Sequence, residues 1–194
     1  FLKARPEDKP FCFWYGGHEP HRKYEEGEGL RSGKKLSDVT VPAYLPDDDI
    51  VKSDLLDYAF EIEWFDHHLG LILQQLEEIG ELDNTIVVVT SDNGMPFPRV
   101  KGQMYEADFH LPLAVRWGDQ SKAGRVIEDF VSFADYAPTF LEAAGLQPSG
   151  ELAGKSFLDL LKSDQEGGID SERDKALMGK ERHDVGREGT KGIQ

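Results

Sequence analysis

Basic side chains are scarce in this 194-residue chain: 22 lysines and arginines stand against 37 aspartates and glutamates, a formal net charge of −15. That balance argues against non-specific binding to nucleic acid or an anionic membrane, which rests on clustered cations. It leaves room for an anionic small substrate, because a metal ion and a few focused cations dominate a pocket whatever the overall sign. Long apolar runs are missing too. No stretch approaches the roughly 20 apolar residues that span a bilayer, and no apolar core with a cleavage site opens the chain. The single cysteine, Cys12, cannot form an internal disulfide and says little about redox compartment; buried packing is its expected role. Also missing are internal repeats, low-complexity tracts, a nucleotide-cradling glycine loop, paired zinc cysteines and a Gly-x-Ser-x-Gly nucleophile.

What remains is a globular composition, 39% apolar and 30% charged, in a chain long enough to bury a sizeable core. Phe1 to Arg5 reads like the tail of a helix, and the last residues carry no stop signal, so the expectation is a portion of a longer protein. Pro10 to Tyr15 is a short apolar and aromatic run closed by Gly16 and Gly17, which predicts a buried strand. Residues 25–49 read as a long surface connection whose closing Asp47, Asp48 and Asp49 suit the positive end of a following helix better than a metal. Apolar residues from Leu55 to Ile79 recur every three or four positions and predict a helix over 53–79, stopped by Gly80. Asp66, His67 and His68 lie within it. Neighbours on a helix point about 100° apart, so a structural or solvated role is expected for these histidines.

Thr85 to Thr90 predicts a second buried strand, 111–117 a third and 126–133 a fourth. Asp135 reads as the N-cap of a helix reaching Ala144, and a short helical segment is expected over 157–161. Strands and helices alternate, which argues for an α/β class.

Chemistry-bearing residues gather where the strands end. Thr90 runs into Ser91-Asp92-Asn93-Gly94, where Asp92 offers a carboxylate and Asn93 an amide oxygen, both hard ligands for a Ca²⁺ or Mg²⁺ type ion. Lys101 follows, able to place a point charge on an anion. Asp-Asn-Gly is also ordinary turn chemistry, so the tetrapeptide by itself does not decide between turn and site. His18 and His21, three apart at the mouth of the first predicted strand, suit anion binding or proton transfer, or a plain exposed loop.

The order of these pieces carries more than any one of them. Pro10-Phe11, then Gly16 and Pro20-His21-Arg22, a long helix, Asp83-Asn84-Thr85-Ile86, Ser91-Asp92-Asn93-Gly94, Lys101-Gly102-x-x-Tyr105-Glu106 and Asp135-x-x-Pro138-Thr139 succeed one another. In that order they resemble the sulfatase family of the alkaline-phosphatase superfamily, over residues 8–162. The run from Met95 to Lys101, with the Pro-His-Arg form of the histidine motif, is most similar to the branch of heparan N-sulfatases, or sulfamidases.

The resemblance implies a mostly parallel central sheet flanked by helices, incomplete at its amino-terminal side, with residues 1–162 belonging to a catalytic domain and 163–194 to a loop and the start of a further segment. It implies one Ca²⁺ held in part by Asp92 and Asn93, with Lys101 and His21 handling the sulfate and the departing atom, and His18 and Arg99 as substrate-binding neighbours. The implied substrate is a sulfated carbohydrate or other sulfate ester, with no nucleic acid and no membrane span. The implied location is secreted, periplasmic or lysosomal.

Departures from the family pattern are as informative. The family's nucleophile is a formylglycine made within Cys/Ser-x-Pro-x-Arg, and nothing in these residues matches it; Cys12 is followed by Phe-Trp-Tyr-Gly. The paired aspartates that complete the calcium site have no counterpart before His18, and His110 stands where many relatives have arginine. The chain is therefore expected to be inactive by itself. The rival readings are a phosphodiesterase or phosphonate hydrolase of the same superfamily, and a non-catalytic anion-binding domain. The segment Glu181-Arg182-His183 earns only a check for substrate contact.

Overall fold

The computed structural model of the chain describes residues 1–6 and 9–179. They divide into two compact units, Phe1–Gln74 and Gln75–Gln194. Among the described residues, no helix is long and apolar enough to cross a membrane.

The first unit is built on one helix. A short helix, α1 (Glu28–Arg31), precedes α2 (Asp49–Glu78), whose first turn is closed by Val51 N donating to Asp48 Oδ1 at 2.9 Å. The aspartate run thus serves as a cap, as its position before the helix predicts. Asp57 is buried in α2 and accepts from Gly27 N at 2.9 Å and Gly29 N at 2.8 Å, satisfying α1's otherwise unpaired amino-terminal donors. Gly29 must be glycine, because a Cβ there would stand 2.5 Å from the Leu56 carbonyl. The connection over 25–49 therefore carries structure of its own, docked onto α2.

Residues 10–15 depart from the expected strand. They form no ladder among the described residues, and Trp14 is 88% exposed. Their rings contact other rings instead, Phe1 stacking on Phe13 at 5.3 Å and Tyr15 lying 5.7 Å from Phe65 of α2. An extended apolar run becomes a strand only where another strand offers its N–H and C=O groups. Cys12 is likewise exposed rather than packed.

In the second unit α2 ends as expected. Gly80 takes φ 73°, its N–H bonds Glu77 O at 2.9 Å, and Glu81 N bonds Leu76 O at 2.9 Å, the paired closure of a Schellman turn. Next come β1 (Val87–Thr90), α3 (Glu106–Phe109) and β2 (Leu113–Arg116). The two strands pair antiparallel, with Val87 opposite Arg116 and Thr90 opposite Leu113. Where a mostly parallel, buried sheet is expected, the described ladder is thus a two-stranded antiparallel one with β1 half-buried. A β-branched run reports a strand; the direction of its partner comes from the connection, here the 91–112 loop that turns the chain back.

The segment 126–133 is not a strand either, beyond one parallel bridge between Ile127 and Gly167. Asp129 accepts from Ile169 N at 2.8 Å and Asp170 N at 2.6 Å, so a side chain takes donors that a ladder would have used. Two helices follow, α4 (Tyr136–Ala143) and α5 (Leu158–Lys162). Phe157, Leu160 and Leu161 form the core here, packed by Val115, Ile127, Val131, Tyr136 and Ile169.

Candidate active site

Two loops carry the chemistry-bearing residues, one in each unit. In the second unit β1 ends at Thr90 and the chain turns through Ser91 to Gly94. Ser91 Oγ donates to Asn93 O at 2.7 Å, and Asn93 Nδ2 donates to Gly94 O at 2.8 Å. One N–H of the Asn93 amide is thereby used on the backbone, and no described residue bonds its Oδ1. Asp92 is exposed, and no described residue bonds its carboxylate. The tetrapeptide is thus a hydrogen-bonded turn, with Asp92 exposed and Asn93 half-buried.

Its footing is a residue that motif reading misses. Asp108, in α3 and 6% exposed, accepts from Gly94 N at 3.1 Å through Oδ1 and from Gln103 N at 3.0 Å through Oδ2. One buried carboxylate therefore ties the Asp-Asn turn to the loop that bears Lys101. A charge so buried is tolerable because both oxygens receive N–H groups. The usable signal was an aspartate between Ala107 and Phe109 in a short apolar turn, where an unpartnered carboxylate would be costly. Gly94 is pressed against this brace: a Cβ would lie 2.3 Å from Ala107 O and 2.7 Å from Asp108 Cα. Phe97 and Val100 are buried beneath the loop. Around them Arg99 takes φ 66° and Gly102 φ 75°, and both Arg99 and Lys101 remain exposed. Neither cation is paired within the described residues.

In the first unit His18 and His21 lie together, ring centroids 5.3 Å apart, in a turn closed by His21 N donating to His18 O at 2.9 Å. Both are exposed. Glu61 of α2 stands near; burial raises its carboxyl above the usual range, Glu19 and Glu28 push it further, and His18 opposes them. The pairings that the structure itself makes are therefore His18 with His21 and, through Asp108, the Asp92–Asn93 turn with the Lys101 loop.

Other sequence-level readings resolve differently. His68 Nδ1 bonds Trp64 O at 2.9 Å and its ring meets Trp64 edge-on at 5.0 Å, the structural role expected within the long helix. No group of three or more His, Cys, Asp or Glu among the described residues could hold a metal. Asp135 holds the N-cap position of α4, as predicted, but its side chain makes no capping bond there. It sits in a 3₁₀ turn, where its Oδ2 accepts from Ser132 N at 3.0 Å and from Arg173 Nη1 at 3.1 Å, and its Oδ1 accepts from Lys155 N at 2.8 Å. Thr139, fully buried, donates to Asp135 O at 2.6 Å and accepts from Phe157 N at 2.9 Å. The Asp135-x-x-Pro138-Thr139 motif is a structural knot. Tyr136 within it faces the Thr90 hydroxyl; burial pushes its phenol up, and Thr90 opposes in part. Glu181 and His183 lie outside the described residues.

The sulfatase family model matches residues 1–146. This chain belongs to the sulfatase family. It is 32% identical over 161 residues to an ulvan-active sulfatase of Formosa agariphila, covering 83% of this chain and 27% of that protein. To human N-sulphoglucosamine sulphohydrolase it is 31% identical over 183 residues, covering 82% of this chain and 36% of that protein. The sulfatase chain thus spans between about a quarter and about a third of the length of these curated relatives. Among solved structures it superimposes, with a TM-score of 0.58 and 32% identity, on one described as a complex with its substrate D-glucosamine-2-N,6-O-disulfate, over 67% of this chain and 28% of that one. A phosphonate monoester hydrolase from Silicibacter pomeroyi shares the fold at a TM-score of 0.53 and 24% identity, over 72% of this chain and 29% of that one. The alkaline-phosphatase-like α/β class and the N-sulfatase-like neighbours are those that the ordered motifs predict.

Proposed function

We propose that the protein to which this chain belongs hydrolyses a sulfate ester or sulfamate on a sugar. The observation that carries the reading is the braced loop: Asp108 fixes the Ser91 to Gly94 turn and the Lys101 loop to each other, with Arg99 and Lys101 exposed and unpaired among the described residues. Relatives described as an ulvan-active sulfatase and an N-sulphoglucosamine sulphohydrolase, and the glucosamine disulfate in the neighbouring structure, support a sulfated sugar as substrate.

Hydrolysis adds water across an S–O or S–N bond, freeing sulfate and returning a proton to the sugar's hydroxyl or amine. Negative charge builds on the departing atom as that bond breaks. Lys101 and His21 offset that charge or supply that proton, and Arg99 and His18 hold sulfate oxygens. Asp92 and Asn93 Oδ1 fit Ca²⁺ in kind, being hard oxygen donors that no described residue bonds, and would provide two of the six to eight ligands this ion takes. When bound, the ion adds positive charge beside the sulfate. The nucleophile is not among these residues.

In the full-length protein, Lys101→Ala and His21→Ala should each lower turnover of a chromogenic sulfate ester by about 10²–10⁴-fold. Unchanged rates would sink the assignment, and a preference for a phosphonate monoester in the same assay would favour the related hydrolase. Calorimetry of the 194-residue chain with Ca²⁺ should give only weak binding. Tight stoichiometric uptake would contradict a two-ligand site.

A further inference from the structure

An exposed imidazole in a turn ordinarily samples several rotamers and both neutral tautomers. His21 is restrained from three directions. Its Nδ1 lies 2.5 Å from Arg22 O; a carbonyl oxygen only accepts, so the proton sits on Nδ1 and Nε2 is the nitrogen left to meet a ligand. On the following side, the Arg22 guanidinium reaches Asp54 of α2 with both arms, Nη1 to Oδ1 at 3.0 Å and Nη2 to Oδ2 at 2.5 Å. This parallel pair constrains orientation as well as distance. The same guanidinium lies 4.7 Å from the centre of the Tyr24 ring. On the preceding side, the Tyr24 hydroxyl donates to Pro20 O at 3.0 Å. Burial pushes that phenol well above its ordinary range, with Arg22 opposing, so it remains a donor at any working pH. Both carbonyls that bracket His21 are thereby held, the one before it by a hydrogen bond and the one after it through a side chain anchored on α2.

We propose that Arg22, anchored by Asp54 and Tyr24, is a positioning residue that holds His21 as the Nδ1–H tautomer with Nε2 presented to the substrate. The second half of that statement rests on the sulfate-handling role proposed for His21; the first half does not.

Two measurements separate them. Nitrogen-15 NMR of histidine-labelled chain should show the neutral His21 ring protonated at Nδ1 and bare at Nε2. Asp54→Asn and Arg22→Gln should each at least halve the Nδ1–H share, toward the Nε2–H form usual for free histidine. Because Arg22 lies outside α2, its variant carries the reading where the Asp54 variant disturbs the helix. A wild-type His21 in the Nε2–H form, or ring signals unchanged in both variants, overturns the proposal.

In the full-length protein, Asp54→Asn should lower kcat about tenfold with KM within two-fold. Arg22→Lys, which keeps the charge and loses the fork, should fall between wild type and Arg22→Gln. A change confined to KM, or a kcat loss fully matched by a loss of folded protein, overturns the positioning role. Should the tautomer shift as stated while His21→Ala retains full activity, the sulfate-handling role fails and the orientation stands.

Discussion

Two buried aspartates of the second unit do similar work to opposite ends. Asp108 and Asp135 each accept two backbone N–H groups and so draw distant stretches of chain together. Among the described residues no cation bonds Asp108. Its carboxylate is met by backbone donors, and Lys101 and Arg99 of the loop it braces are exposed and unpaired among those residues. Around Asp135 a cation is consumed: Arg173, its side chain 5% exposed, bonds Asp135 while its other nitrogen donates to Lys155 O at 2.6 Å and Ser156 O at 2.7 Å. Backbone-only satisfaction thus keeps charged side chains available for a ligand, whereas a buried ion pair spends them on the fold.

That contrast can be broken by mutation, and the largest effect belongs to the ion pair. Arg173→Ala removes the buried charge partner of Asp135 and the donors to Lys155 O and Ser156 O, and should cost about 3–5 kcal/mol of stability, read by urea unfolding. Turnover per folded molecule of the full-length protein should stay within two-fold. A large loss of turnover with stability intact would show that the clasp serves the site after all. Gly94→Ala drives a methyl into Ala107 O and should cost about 1–3 kcal/mol, with a loss of turnover that the unfolded fraction does not explain. Full activity there would mean that the Asp-Asn turn tolerates displacement. Asp108→Asn, which keeps one acceptor and leaves one N–H unmet, should also cost about 1–3 kcal/mol. Its signature should instead be kinetic, near 10²-fold in kcat, because a loop shifted by about 1 Å misplaces Lys101. Equal changes in stability and kcat would erase the distinction between the two aspartates.

Much of this was legible before any coordinates. The apolar period from Leu55 to Ile79 reported α2, and Gly80 reported its end, because a helix interior and its left-handed stop are local properties. Asp92, Asn93 and Lys101 were legible as candidates because a β-branched run that breaks into ligand-type residues places them at a strand end. The misreadings share a cause. Residues 10–15 and 126–133 have strand composition, yet a strand exists only by virtue of its partner, and Asp129 supplies acceptors where a partner would have stood. Asp135 does stand at the N-cap position of α4, yet Lys155 N and the charge of Arg173, 20 and 38 residues away, claim its side chain.

Local pattern and the order of motifs determined the class of the protein, its long helix and the residue types of its site, since those depend on neighbours within a few positions. Tertiary structure alone decided the antiparallel sense of β1 and β2, the brace from Asp108 beneath the Lys101 loop and the tether from Arg22 to Asp54 beside His21. Each of these joins residues 5 to 32 positions apart, and the free energy of burying a charge or aligning a hydrogen bond is set by what the folded chain brings there.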